Sequence, residues 1–237
     1  MALIARQCAP GAARGTSGCA RTLATVLAVL DWSTIASLAT AAGTLVLALA
    51  TFSSVRSANR SARVAERALM VNLRPVLAST RLDDPAQKIG FVDNKWLVAP
   101  GGGGAAEVDG GAVYLGIAVR NAGSGLAVLH GWSLVPGPEL AGVPHADPAQ
   151  FRRLTRDLYV PPGDVGFWQG ALRDPAEPLF AAMRDAVEEP RRFAVDVLYG
   201  DHEGGQRTIT RFLMAPYHDR WMASVSRHWN IDRPDPR

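Results

Sequence analysis

Cysteine is nearly absent from this sequence, and both of its cysteines, Cys8 and Cys19, lie close to the N-terminus. No disulfide can therefore form within the remainder of the chain. A folded domain there must be held together by its core alone, because it has no disulfide framework. The same absence favours a reducing compartment for that domain.

Lysine is equally scarce, since Lys88 and Lys95 are the only two and arginine supplies nearly all of the positive charge. The formal net charge is +3, and the basic residues are dispersed among acidic ones. A nucleic-acid-binding surface requires clustered positive charge, so we expect no nucleic-acid partner. The abundance of Arg, Ala, Gly and Val is typical of GC-rich coding and favours a bacterial source.

The motifs of phosphate-binding and hydrolytic sites are also missing. The glycines Gly101–Gly104 are not followed by the Lys-Ser/Thr pair of a phosphate-binding loop, so we predict a flexible loop there. Ser124 lacks the first glycine of the G-x-S-x-G frame and is predicted to be a turn residue. We therefore predict no cofactor and no catalytic residue.

Charge is absent from Trp32 to Val55, a run bracketed by Asp31 and Arg56. At about 1.5 Å per helical residue this run reaches about 36 Å, enough to cross a hydrocarbon layer of about 30 Å. The sequence therefore predicts one transmembrane helix over 32–55, preceded by an irregular tail over 1–31 with a short apolar extension. The alternatives are a buried core helix and a signal peptide cleaved near residue 50.

A basic face follows the apolar run. Four arginines recur at the spacing i, i+4, i+7 and i+11, which places them on one side of a helix: Arg56, Arg60, Arg63 and Arg67. We predict a basic juxtamembrane helix over 56–74 that contacts anionic lipid head groups, each arginine contributing about 1 kcal/mol. The excess of positive charge on this side predicts an N-out, C-in topology with a cytoplasmic C-terminal domain.

The same helix carries small and apolar residues at alternating intervals of four and three, the spacing of a coiled-coil seam. They lie within residues 51–69, and the pair Ala39 and Gly43 adds small residues within the bilayer. One expectation is therefore a homo-oligomer formed through residues 51–69. The alternative is a lone helix whose small residues reflect composition.

From Pro75 onward the pattern changes to short strands separated by turns. We predict a mainly β fold with a β-sandwich over 75–231 and a C-terminal tail over 232–237. Strands are expected at residues 75–81, 112–121, 126–135, 156–160, 165–172, 192–199 and 206–215, with one helix at 177–188 and a long connection over 83–111 that can hold a short strand near 91–98. The last segment, 220–231, fits either a strand or a short amphipathic helix, and we favour the strand.

Four motifs carry a resemblance: Leu73-Arg74-Pro75, residues 119–127 (VRNAGSGLA), the turn Pro161-Pro162-Gly163-Asp164, and Tyr199-Gly200-Asp201. With the preceding anchor, their order resembles uncharacterised single-pass bacterial membrane proteins of actinobacterial type. The resemblance implies an immunoglobulin-like C-terminal β-sandwich. It implies no activity, because its motifs consist mostly of turn chemistry.

The densest group of candidate metal ligands is Asp201, His202 and Glu203, followed by His218. A hairpin that brought its two ends together would allow these side chains to bind a divalent cation. The alternative is a polar turn followed by a solvated loop. No known ligand spacing is present, so these residues are weak candidates.

Four tryptophans lie in the predicted sandwich: Trp132, Trp168, Trp221 and Trp229. We expect one or two of them to fill its core. Two that faced solvent together would mark a binding patch.

The leading functional hypothesis is a membrane-anchored binding or scaffold module that meets an unknown protein partner at the inner leaflet. The second is a membrane-tethered metal-dependent or acid–base enzyme that uses the cluster at 201–203 and 218. The third is an exported domain with the opposite topology.

Overall fold

A computed structural model describes residues 16–137 and 142–234, with side chains from Trp32 onward. The chain divides into two compact units, Met1–Ala65 and Glu66–Arg237. We call the second unit the β domain. The predicted tail over 1–31 lies outside the described residues up to position 15, and from Thr16 the backbone is helical rather than irregular.

The long helix α1 runs from Thr16 to Asn72. It contains no proline and is rich in Ala and Leu, which are among the best helix formers. Among the described residues, one helical stretch, Trp32–Asn72, is long and apolar enough to cross a membrane, and its most apolar window is wholly exposed. Polar side chains in this stretch bond to their own helix: Ser37, Thr40 and Thr51 donate to carbonyls four residues earlier at 2.7–2.9 Å. A helix surrounded by lipid has to satisfy its polar groups internally in this way.

Over its described residues, the β domain contains eleven strands, a second helix and a 3₁₀ turn at Pro148–Gln150. The helix, α2, runs from Phe180 to Glu188. The strands are β1 (Leu77–Ser79), β2 (Gln87–Gly90), β3 (Trp96–Ala99), β4 (Gly103–Asp109), β5 (Ala112–Asn121), β6 (Ala127–Pro136), β7 (Arg152–Val160), β8 (Val165–Leu172), β9 (Phe193–Gly200), β10 (Thr208–Tyr217) and β11 (Arg220–Asn230).

Nine of these strands form one antiparallel sheet, in the order β1-β5-β4-β11-β10-β9-β6-β7, with β8 on β5. Strands β4 and β1 pair with β5 along successive parts of its length, while β8 pairs with β5 from residue 113 to residue 120. The outermost strands, β7 and β8, are consecutive in the chain and contact each other. The sheet therefore curls into a sandwich-like arrangement around one core, which confirms the prediction of a mainly β fold.

The core is built from the inward-facing residues of both halves of the curled sheet. Trp132 and Trp168 meet edge to face at its centre, with ring centroids 5.5 Å apart. Helix α2 covers one opening and buries Phe180 and Met183 in the same cluster. The separate hairpin β2–β3 packs Ile89 and other apolar residues on the outer face of the sheet, over a second cluster.

Arginine and aspartate form one fully buried ion pair in the sheet. Arg211 of β10 and Asp196 of β9 are direct cross-strand partners, with exposed side-chain fractions of 2% and 0%. The guanidinium also donates to the carbonyl of Val143 at 2.7 Å and stacks on the ring of Trp229 at 4.9 Å. These contacts satisfy a charge that burial would otherwise make costly.

Residues 83–111 are not the predicted long connection, because they contain β2, β3 and β4. The short strand predicted near 91–98 is present in part as β3, while residues 91–95 form the turn of the β2–β3 hairpin, in which Asn94 has a φ of 60°. The prediction of a flexible loop at the glycines is also wrong. The predicted flexible loop at Gly101–Gly104 is buried and leads into β4. A Cβ atom at Gly103 would lie 2.5 Å from the carbonyl oxygen of Trp221, and one at Gly104 would lie 2.5 Å from that of Gly116. These glycines therefore allow β4 to approach its neighbours closely.

Candidate functional site

The C-terminal end of helix α1 is held in place by hydrogen bonds from the β domain. The last carbonyls of a helix lack partners within the helix. Here the carbonyl of Leu69 accepts from Leu73 N at 3.0 Å. The carbonyl of Met70 accepts from the side-chain amide of Gln206 at 2.6 Å, although Gln206 is more than a hundred residues away in the chain. Pro75 prevents the helix from continuing, because proline has no N–H to donate.

The side chain of Gln206 is held in this position by Asp201, one of the predicted metal ligands. Its amide nitrogen also donates to the carboxylate of Asp201 at 3.2 Å. Asp201 is buried, and its other oxygen accepts from Gly205 N at 2.9 Å. Asp201, a candidate cation ligand from the sequence, therefore orients the side chain that caps α1.

The loop Asn121–Gly125 forms the other side of this contact. The backbone N–H groups of Ser124 and Gly125 donate to the carbonyl of Arg74 at 3.1 and 3.3 Å. A Cβ atom added at Gly125 would overlap the carbonyl group of Leu73, and one added at Gly123 would overlap that of Arg74. The two glycines are required for this approach. We call the contact between residues 66–76, 121–125 and 201–206 the helix joint.

Asn121 organises the loop of the helix joint. Its side-chain oxygen accepts from Val76 N at 3.2 Å and from Gly123 N at 3.0 Å. Its amide nitrogen donates to the carbonyls of Gly125 at 2.7 Å and Val160 at 2.9 Å. The sequence motif over 119–127 thus contributes most of the polar contacts that hold the start of the β domain.

A chain of hydrogen bonds continues from the helix joint through the core. The hydroxyl of Tyr199 accepts from Leu77 N at 3.1 Å and lies 3.0 Å from the hydroxyl of Thr210. Thr210 is in turn 2.7 Å from Nδ1 of His228. Burial raises the pKa of Tyr199, so the phenol stays protonated at neutral pH. This arrangement fixes β1 against β9 and β10.

The structure does not bring the predicted metal ligands together. His202 and Glu203 lie on the exposed turn before β10, with 4.0 Å between His202 Nε2 and Glu203 Oε1. His218 lies on the turn after β10, with a φ of 55°. The ten residues of β10 separate the two turns, which is about 30 Å at the rise of a strand. Within the described ranges, no group of three or more His, Cys, Asp or Glu side chains is close enough to hold a metal ion.

The predicted membrane-surface arginines lie along α1 and are exposed: Arg56, Arg60, Arg63 and Arg67. The first three line one shallow face of the helix together with Phe52 and Val55. In the part of the chain that the structure describes, none of the four forms an ion pair.

Two of the four tryptophans fill the core as expected, namely Trp132 and Trp168. Trp229 is buried beneath Arg211, and Trp221 is half-buried against Phe193. Among the described residues of the β domain, the exposed tryptophan is Trp96 on the β2–β3 hairpin, 65% exposed and beside Val98. Sequence reasoning missed it, because residues 96–99 are all apolar and show none of the apolar and polar alternation that would mark an exposed face.

No known protein family, curated protein or solved structure matches this chain.

Proposed function

We propose that this chain is a single-pass membrane protein whose β domain is a binding or scaffold module for a protein partner. One observation carries the proposal: an uncharged apolar helical run, Trp32–Val55, is exposed along its length and is followed by a folded β domain that caps the helix end. An apolar surface of this length is stabilised by lipid rather than by water.

The intrahelical hydrogen bonds of Ser37, Thr40 and Thr51 support insertion in a bilayer. They remove polar groups that lipid cannot satisfy. Exposure of the whole run disfavours the alternative of a buried core helix. The resemblance to bacterial membrane proteins and the immunoglobulin-like character of the sandwich belong to this proposal, and the order of the four sequence motifs supports both.

The arginines of α1 support an N-out, C-in orientation with a cytoplasmic β domain. Their positive charges follow the apolar run directly and lack ion-pair partners among the described residues, so they are free to contact anionic head groups. The absence of cysteine after Cys19 is consistent with a reducing compartment. Exported topology is the alternative outcome of the test below.

A binding role is favoured over the enzyme alternative because the candidate site residues either have a structural role or lie far apart. Asp201 orients the helix cap, and His218 lies at the far end of β10 from His202. The exposed Trp96 and Val98 offer apolar surface of the kind found in protein interfaces. A homo-oligomer through residues 51–69 is a further proposal, which cross-linking of the full chain in membranes would test.

Membrane insertion is tested by alkaline extraction of cell membranes. Leu45→Arg combined with Leu49→Arg places two charges in the run, each costing about 2.5–3.5 kcal/mol of insertion free energy at the centre of a helix. We expect the wild-type chain to stay in the pellet and the double variant to be extracted. Leu82→Arg, on the exposed surface of the β domain, is the matched control. Extraction of the wild-type chain would refute the membrane proposal.

Orientation and partners need two further measurements. A C-terminal reporter that is active only outside the cytoplasm should be inactive on the wild-type chain, and substitution of all four arginines by glutamine should raise its activity. Proximity labelling from the C-terminus in intact cells should then mark a cytoplasmic protein. Reporter activity on the wild-type chain would establish the exported topology instead.

A further inference from the structure

Strands β7 and β8 leave an open seam in the curled sheet. They are joined by the short turn 161–164, yet within the described ranges β7 pairs only with β6 and β8 only with β5. Consecutive antiparallel strands with such a turn ordinarily share a ladder of hydrogen bonds. Each of these two strands therefore presents an unpaired backbone edge to the other.

A side-chain bridge takes the place of the missing ladder. Arg156 of β7 donates to the side-chain oxygen of the buried Gln169 of β8 at 2.7 Å, and its guanidinium lies 5.3 Å from the ring centroid of Phe167. Near the turn the strands touch, because a Cβ atom at Gly166 would lie 2.9 Å from the side chain of Val160. At the other end a cavity of about 80 Å³ separates them.

Positive charge is concentrated around this cavity. Arg152, Arg153 and Arg173 line it, and none of its lining residues is acidic. Arg152 pairs with Glu177 and stacks on Trp132, while Arg173 has its own carboxylate and aromatic partners. Arg153 is exposed and has no ion pair in the described part of the chain. The cavity therefore carries an excess of positive charge.

The cavity volume suits a small anionic group. Since a water molecule occupies about 30 Å³ in the liquid, the space accommodates two or three waters or one carboxylate. Guanidinium groups present pairs of N–H donors that match the two oxygens of a carboxylate. Strand edges offer a complementary set of backbone donors and acceptors, which an extended peptide matches along its length. A lipid head group or a nucleic-acid phosphate would match the arginines but not the strand edges.

We infer that the β7–β8 seam is a binding site for an extended acidic peptide. The peptide backbone adds to the free edge of β8, and a carboxylate side chain enters the cavity beside Arg152, Arg153 and Arg173. Arg156 exchanges its bond to Gln169 for a bond to the peptide. This inference rests on the proposed binding function and names the chemistry of its partner.

The test uses the full chain in nanodiscs of uncharged phosphatidylcholine. The probe is a fluorescein-labelled octapeptide of alternating Glu and Val, and the comparison peptide alternates Lys and Val. Fluorescence anisotropy should show saturable binding of the acidic peptide only, weakening as salt rises. Absence of binding, or equal binding of the basic peptide, would overturn the inference.

Two variants test the location of the site. Arg153→Glu reverses one exposed charge at the cavity and should weaken binding by about tenfold or more. Arg192→Glu makes the same change at an exposed position elsewhere in the β domain and should leave binding unchanged. Equal losses in both variants would mean attraction to overall charge and would refute the site.

Hydrogen exchange distinguishes strand addition from simple charge pairing. Bound peptide should slow exchange of amides in the segment Gln169–Ala171 on the edge of β8. A deoxythymidine oligonucleotide or anionic vesicles that displaced the peptide while leaving these amides unprotected would refute the peptide assignment.

The inference and the proposed function can fail separately. If proximity labelling marks the same partner for the wild-type chain and for Arg153→Glu, the binding function stands and the seam is not the site. If the chain is extracted from membranes but binds the acidic peptide through Arg153, the seam stands and the membrane proposal fails.

Discussion

Replacement of Gly125 by alanine should disrupt the helix joint. The added Cβ atom would overlap the carbonyl of Leu73 and lie 3.0 Å from its Cα atom, and backbone atoms cannot rotate away as a flexible side chain can. Overpacking of this kind costs about 1–3 kcal/mol. Displacement of the loop would also break the two hydrogen bonds that Ser124 and Gly125 donate to Arg74, each contributing about 0.5–1.5 kcal/mol. We expect a total loss of about 2–6 kcal/mol in the free energy of unfolding.

The measurement is urea unfolding of the full chain in detergent micelles, followed by tryptophan fluorescence. With a slope of about 2 kcal/mol per M urea, this loss lowers the midpoint by about 1–3 M. Hydrogen exchange should show faster exchange at residues 73–76 and 123–125. Gly205→Ala is the matched control, since its added Cβ atom would meet nothing closer than an Asp201 oxygen at 3.8 Å. If Gly125→Ala is as stable as this control and exchanges no faster at those residues, the reasoning about the joint is wrong.

Three further predictions concern charges in the β domain. Removing one partner of the buried pair, by Asp196→Leu or Arg211→Met alone, should cost about 3–5 kcal/mol, whereas the double variant should cost less than either single change in the same unfolding assay. Hydrogen bonding from Arg120 lowers the pKa of Asp84, so the stability that this contact contributes is present above about pH 4 and is lost as pH falls further; Asp84→Asn should flatten that acid dependence. Partial desolvation, together with the charge of Arg207, lowers the pKa of the partly exposed His130, so its neutral form favours the folded state above about pH 6.5, stability falls as pH drops below that value, and His130→Gln should remove this step from a midpoint-against-pH curve.

The elements with clear periodicity could be predicted from the sequence. The strands β5, β8 and β9 lie close to their expected positions, because their apolar runs are long and turn residues bound them. The apolar helix was equally clear, since no charge interrupts it from Trp32 to Val55. The expected strand at 220–231 is confirmed as β11.

The missed elements depend on contacts that are distant in the chain. Strand β4 begins with Gly103 and Gly104, which have low strand propensity and are favoured here only because β5 and β11 approach them closely. The role of Asp201 was missed for a related reason. Its partner Gln206 was visible five residues later, but the carbonyl of Met70 that Gln206 caps was not.

The open seam could not be predicted either. The turn Pro161-Pro162-Gly163-Asp164 indicates a hairpin, and a hairpin normally implies a ladder between its strands. In the structure β7 pairs with β6 instead, so its ladder of hydrogen bonds lies on the edge away from β8.

The helix joint also has a consequence for the order of events during synthesis. Its partners for residues 66–76 come from positions 121–125 and 206, and Arg74 also donates to Asn230, which lies 156 residues further along the chain. The end of α1 therefore lacks these partners until the residues up to Asn230 have left the ribosome. At about 5–20 residues per second this delay lasts roughly 10–30 s, so the proposed insertion of the apolar helix into a membrane can precede folding of the β domain.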